Sequence, residues 1–339
     1  MALVDVNILS IGRVFDELLS PIEQLLRSPK GKVDGDEQSI TRFVLDDDFF
    51  YHVQTYVKTG MEFPDDEHLF KMVHPLTYFK FWLQEDVEYR RMWQGITTVS
   101  QHCRSSLNEA IYPIVDLSHH IVEYASSAVN IFEVLLDPLR IISDYTIPFS
   151  SFEAEDAREN IKGILQLLQD NSRETSRRST LVLKAIGIFA TTILEDGVVL
   201  RALDELLSNK VPKDAGVDDW EKQKALQTIG KPDDSRYDPC QILIKDAILE
   251  KISTLASSSK VALAHISAMR KALADIYDAL VMMDTTAKIM IRAVSLLSDQ
   301  ARPERAGYGA VGTKLEKAAG TCKQVVQLAR EFAKQATRS

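Results

Sequence analysis

Between Cys240 and Arg302 the chain reads CQILIKDAILEKISTLASSSKVALAHISAMRKALADIYDALVMMDTTAKIMIRAVSLLSDQAR, 63 residues without a glycine or a proline. Side chains recur in it at alternating steps of four and three: Ile248, Ile252, Leu255, Ser259, Ala262, Ile266, Met269, Leu273, Ile276, Leu280, Met283, Ala287, Met290, Val294 and Leu297. Fourteen of these fifteen are apolar, so the spacing predicts one long helix with a coiled-coil-like seam held for about seven heptads. Unbroken, such a helix would be roughly 95 Å long at ~1.5 Å per residue, whereas a compact chain of this length has a radius of gyration near ~20 Å. The prediction is an all-α molecule, an elongated bundle of long antiparallel coiled-coil-like helices.

The seam is flanked by Val261, Leu263, Ile289, Ile291 and Leu296. That breadth predicts burial against two or three partner helices, as in a bundle. Small residues at Ala256–Ser259 and at Ala262 would let a neighbouring helix approach closely. Core packing accounts for the whole stripe, and nothing in it points to catalysis.

Composition fits a soluble folded protein: 45% hydrophobic, 26% charged, only 14 glycines in 339 residues. A net charge of −9 disfavours broad nucleic-acid binding. Three widely spaced cysteines, Cys103, Cys240 and Cys322, form neither a disulfide framework nor a zinc motif. The N-terminus carries Asp5 and no basic leader region, so a signal peptide is not expected. The expected location is therefore cytoplasmic, or outside the cell by a non-classical route. The run Leu181–Leu194 comes nearest to a membrane span, but it is too short and carries Lys184.

In chain order, residues 1–42 predict an amphipathic helix over 4–27 and a loop, with Ile8, Ile11, Val14, Phe15, Leu18, Leu19, Ile22 and Leu25 at helical spacing. Residues 43–339 predict the bundle. Short helices occupy 43–80: Asp46 or Asp47 caps the first, with Phe49, Phe50, Val53, Tyr56 and Val57 on its buried side. Gly60 suits a left-handed end to that helix, and Asp65 or Asp66 starts the next, through Val73. Long helices follow at 86–137, where Pro113 marks a kink or junction, and at 152–209, whose polar run Asp170–Thr180 is either a solvated helical segment or a break. Residues 138–151 read as a connection and 210–239 as a loop. After the helix of 240–302, Ala306–Gly312 reads as flexible and 313–337 as a C-terminal helix. From residue 301 onward there are eight Lys and Arg against three acids.

The seven histidines include no His-Glu-x-x-His spacing. His119 and His120 point about 100° apart on a helix, and so do His102 and Cys103. No metal, cofactor or catalytic residues are predicted, and the chain does not read as an enzyme. The carboxylate runs Asp46–Asp48 and Asp65–Glu67 sit at helix starts, where capping explains them. Gly307-Tyr308-Gly309-Ala310-Val311-Gly312 spells a dinucleotide fingerprint, but no strand precedes it.

The segment Phe43-Val44-Leu45-Asp46-Asp47-Asp48-Phe49-Phe50, followed by Tyr56-Val57-Lys58-Thr59-Gly60-Met61-Glu62-Phe63-Pro64, resembles the N-terminal signature of the alpha-xenorhabdolysin family, A subunit. Trp93 at the opening of the first long helix and the order of the long helices are similar too. The resemblance implies a cytolysin-type α-helical toxin body, one component of a binary pore-forming toxin whose apolar head hairpin contacts the membrane. In this chain the corresponding segment, Lys210–Pro239, is short and charged, so the hairpin is missing.

As partners the resemblance implies a second toxin subunit, a membrane surface, and homo- or hetero-oligomers. The alternative is a non-lytic intracellular helical-bundle interaction protein that keeps the toxin fold. The segment predicted to contact a membrane or a partner is residues 185–200, through Ile186, Phe189, Ile193 and Val198, should a helix pair open.

Overall fold

Every seam position from Ile248 to Val294 is buried, and the helix that carries them runs unbroken from Pro239 to Ser295. Pro239 sits at its first turn, where a missing N–H costs nothing. The structure, a computed structural model, describes residues 21–22, 25–27, 42–43, 45, 47–79, 83–144, 146–210, 239–295 and 306–337. Of the expected helix of residues 4–27, residues 4–20 lie outside them and 21–22 are helical, but Leu26–Arg27 is a short strand instead. The loop 211–238 and the seam's last member Leu297 also lie outside the described residues.

In chain order the elements are two-residue strands β1 (Leu26–Arg27) and β2 (Arg42–Phe43), paired antiparallel, then seven α-helices among the described residues. These are α1 (Asp47–Met61), α2 (Glu67–Val73), α3 (Arg90–Ser106), α4 (Tyr112–Ser143), α5 (Phe152–Lys210), α6 (Pro239–Ser295) and α7 (Ala306–Ala336). The fold is all-α.

The described residues pack as two units, one drawn from 1–47, 113–185 and 269–339, the other from 48–112 and 186–268. In the first, Tyr124 and Ser172 meet at 3.2 Å between α4 and α5, Arg173 pairs with Asp284 of α6 at 2.9 Å, and Lys323 of α7 reaches Glu133 at 2.9 Å. In the second, Asp66 caps α2 by accepting the Leu69 N–H at 2.8 Å, as its position predicts.

Several sequence expectations are corrected. Pro138 does not end α4, which continues to Ser143 because Leu139 and Ile142 are buried beyond it; that burial offsets the ~3 kcal/mol a helical proline costs. At Pro113 the expected junction is present, and the division between the two units falls there. A single π-helical turn, Leu107–Ile111, comes just before it, the usual way to absorb a missing donor. The segment 306–312 is helical, not flexible, as the start of α7. The apolar flanks of the α6 seam are not buried as a broad face: Val261 and Ile289 are exposed, and the seam is widened by Ala272, Ala279 and Thr286 instead. At these flanking positions Val261 and Ile289 lie outward and small residues lie inward, which lets a neighbouring backbone come close.

The polar run Asp170–Thr180 is unbroken helix inside α5. Its Ser172, Thr175 and Ser179 continue the same alternating register between Leu168 and Val182, and all three are buried. Each hydroxyl donates back to a carbonyl four residues earlier, to Leu168, Asn171 and Thr175 at 2.7–3.0 Å. Seam positions are thus filled by side chains that satisfy their own polarity.

Candidate functional site

In the second unit the buried face of α5 comprises Ile186, Phe189, Ile193, Asp196, Leu200, Leu203 and Leu207. The steps alternate three and four, so these seven residues form one stripe. Asp196 is its single charged member. It is 2% exposed, in a position that the register reserves for an apolar side chain.

Two helices supply its partners. From α1, the Tyr56 hydroxyl donates to Asp196 Oδ2 at 3.0 Å; from α3, His102 Nδ1 lies 2.7 Å from Oδ1. The Cys103 thiol lies against the Tyr56 hydroxyl beneath them. Burial holds the Asp196 carboxyl above the ordinary carboxylate range, opposed by the hydrogen bonds and charge of His102 and Tyr56. It also raises the Tyr56 phenol, and pushes the Cys103 thiol up to about 12. A thiol so held is not a nucleophile at neutral pH.

Residues 100–104 of α3 bind the same neighbourhood together. Ser100 Oγ donates to the Phe63 carbonyl at 2.8 Å and Gln101 Nε2 to the Asp65 carbonyl at 2.6 Å. Arg104 donates to the Met61 carbonyl at 3.1 Å and pairs with Asp65 at 3.0 Å. The Phe43–Pro64 segment is therefore docked through its helix, with Phe50, Val53, Tyr56, Val57 and Phe63 buried. The side chains of Asp46, Asp47, Asp48 and Phe49 lie outside the described residues.

Gly60 was expected to end α1 in a left-handed conformation. It lies within the helix instead, and its lack of a side chain makes room for Cys103. Immediately after Asp196, Gly197 lets α6 approach: a Cβ there would sit 3.1 Å from Ser259 Oγ. The small-residue stretch around Ser259 does receive a close neighbour, as its sequence predicts.

Of the residues predicted to contact a membrane or partner, Ile186, Phe189 and Ile193 are buried side by side in this stripe. Val198 lies on another face and is 56% exposed. Sequence reasoning missed Asp196 because Glu195 and Asp196 read together as the polar end of an apolar run. Continuing the three–four register from Ile186 to Leu207 is the signal that finds it.

Elsewhere in this unit an open cleft of about 430 Å³ lies between α2 and α3. Lys71 already covers the face of Trp93 there, 5.6 Å from the ring centre, and pairs with Glu67. Among the described residues no cluster of His, Cys, Asp and Glu could hold a metal ion, and no helix is long and apolar enough to cross a membrane.

Neither a protein-family model nor a curated protein matches the chain. Among solved structures it is similar to soluble SmhB of the tripartite alpha-pore forming toxin Smh from Serratia marcescens, with a TM-score of 0.45 and 12% identity over 96% of this chain and 99% of that one. It is also similar to a soluble head mutant of AhlC, from the tripartite toxin AHL of Aeromonas hydrophila, with a TM-score of 0.36 and 13% identity over 82% and 97% of the two chains. XaxA from Xenorhabdus nematophila gives 0.35 and 11%, over 85% and 98%.

Proposed function

We infer that this chain is a component of an α-helical pore-forming cytolysin, similar to the A subunit of a binary toxin, and that it acts by membrane association or by assembly with a second subunit. The observation that carries this reading is the Phe43–Pro64 segment. Its residues resemble the family signature, and they form a docked unit with Val53, Tyr56 and Val57 buried. The all-helical fold is consistent with it.

The contact would be made by residues 185–200 of α5. Val198 is exposed already, while Ile186, Phe189 and Ile193 require a neighbouring helix to leave. Uncovering them forfeits about 1.5–3 kcal/mol per large side chain unless lipid or a partner replaces the lost burial. No described helix meets the length and hydropathy of a span, so the apolar segment that enters the bilayer is assigned to the second subunit.

The test is dye release from liposomes at neutral pH. The purified chain alone should release no dye, and addition of a second subunit encoded beside it should start release. Release by the chain alone would assign insertion to residues 181–200. No release with any co-encoded protein, together with expression inside its own cell, would establish the non-lytic interaction protein.

A further inference from the structure

Asp196 stands in an apolar seam, and the groups around it set what its charge does. From α1 it faces Tyr56, and from α3 it faces His102 with Cys103 beneath. Glu195 adjoins it on α5 and adds a like charge. From α6 the side chain meeting this turn is Ser259, which is uncharged. Tyr56 supplies a neutral hydrogen bond, so among the described residues His102 is the one group facing Asp196 that can balance its charge, and only when protonated. The imidazole is 37% exposed. Asp196, by contrast, is 2% exposed.

We propose that the packing of α1 and α3 on α5 around Asp196 is closed by a bound proton and loosens as pH rises. With a proton on either member, the His102–Asp196 pair carries no uncompensated buried negative charge. With none, an ionised carboxylate remains in the seam with two neutral donors, and opening the helices returns it to water.

Linkage gives the same direction. Burial raises the folded-state pKa of Asp196, so its contribution to stability is full below the ordinary value near ~3.9 and is lost as pH rises through the raised folded value. The device belongs to the second unit alone and does not depend on the membrane reading.

Cys103 reports the opening, because its thiol lies buried beneath the pair, while Cys322 is buried in the other unit. In a Cys240→Ser background, the two thiols are labelled with dithiodipyridine from pH 4.5 to 8.5 and located by peptide mass spectrometry. The rate at Cys103 is divided by the rate in Asp196→Asn at the same pH, which cancels the chemistry of the reagent.

That ratio should rise with pH across the range, because the folded-state pKa of Asp196 is raised, while the Cys322 ratio stays level. A ratio that does not change with pH overturns the proposal, and so does one that changes equally at Cys322. In the unsubstituted protein, amide exchange of residues 47–61, corrected for its intrinsic pH dependence, should accelerate relative to residues 114–143 as pH rises. Equal behaviour of the two segments is the second overturning result.

Discussion

Gly60 of α1 and Cys103 of α3 occupy one space: a Cβ built on Gly60 would lie 2.3 Å from the Cys103 sulfur. A glycine in a helix ordinarily costs up to about 0.5–1 kcal/mol relative to alanine, so in the last turn of α1 a Gly→Ala change would be expected to stabilise. Here the sign reverses. Gly60→Ala should cost about 1–3 kcal/mol through overpacking. In Cys103→Ala, which removes the sulfur, the same change should cost much less. A denaturant-unfolding double-mutant cycle measures this coupling, and additive effects would show that the contact is not tight.

The seam of α6 separates inward from outward positions along one helix. Ile266, Leu273 and Leu280 are buried, so alanine at any of them should cost about 2–5 kcal/mol, from lost transfer energy and the cavity left behind. Val261 and Ile289 are exposed, and alanine there should change stability by no more than about 0.5 kcal/mol. Equal effects at the two sets, read from chemical denaturation, would contradict the register.

Ser100 bonds the end of the docked segment. Its hydroxyl is buried and donates to the Phe63 carbonyl at 2.8 Å. Ser100→Ala should leave that carbonyl without this donor and cost about 1–3 kcal/mol. Faster amide exchange concentrated in residues 59–66 would locate the loss; unchanged exchange there would assign the docking to apolar contact alone.

His74 is held neutral. Burial, reinforced by the Lys251 charge, lowers its pKa to about 4, and its Nδ1 meets no hydrogen-bond partner among the described residues. A depressed histidine contributes stability that is present above the ordinary value near ~6.5 and is lost as pH falls toward the folded one. An NMR titration should place the His74 imidazole well below the ordinary histidine range. Unfolding between pH 7 and 4 should show an acid-destabilising component that His74→Leu removes. This sign is opposite to that of Asp196, so the two groups can be told apart in one pH series.

What the sequence alone determined is the long helix it predicts over 240–302, present from Pro239 to Ser295, and the identity of its core. Its seam is written almost entirely in apolar residues, and local periodicity of that kind reports burial directly. The short helices around Asp66 and Val53–Val57 were legible for the same reason, with a cap and an apolar stripe to mark them. The companion seam of α5 was not. It runs in the same register from Ile161 through Leu207, but Ser172, Thr175, Ser179 and Asp196 stand at positions where the pattern calls for hydrocarbon. Hydroxyls can be buried because they bond back to their own helix, and Asp196 because Tyr56 and His102 reach it from 140 and 94 residues away in sequence. Those partners are brought within 3 Å only by tertiary packing. The polarity of a single side chain does not reveal whether water or another helix will satisfy it, and the tertiary structure decided that at each of these positions.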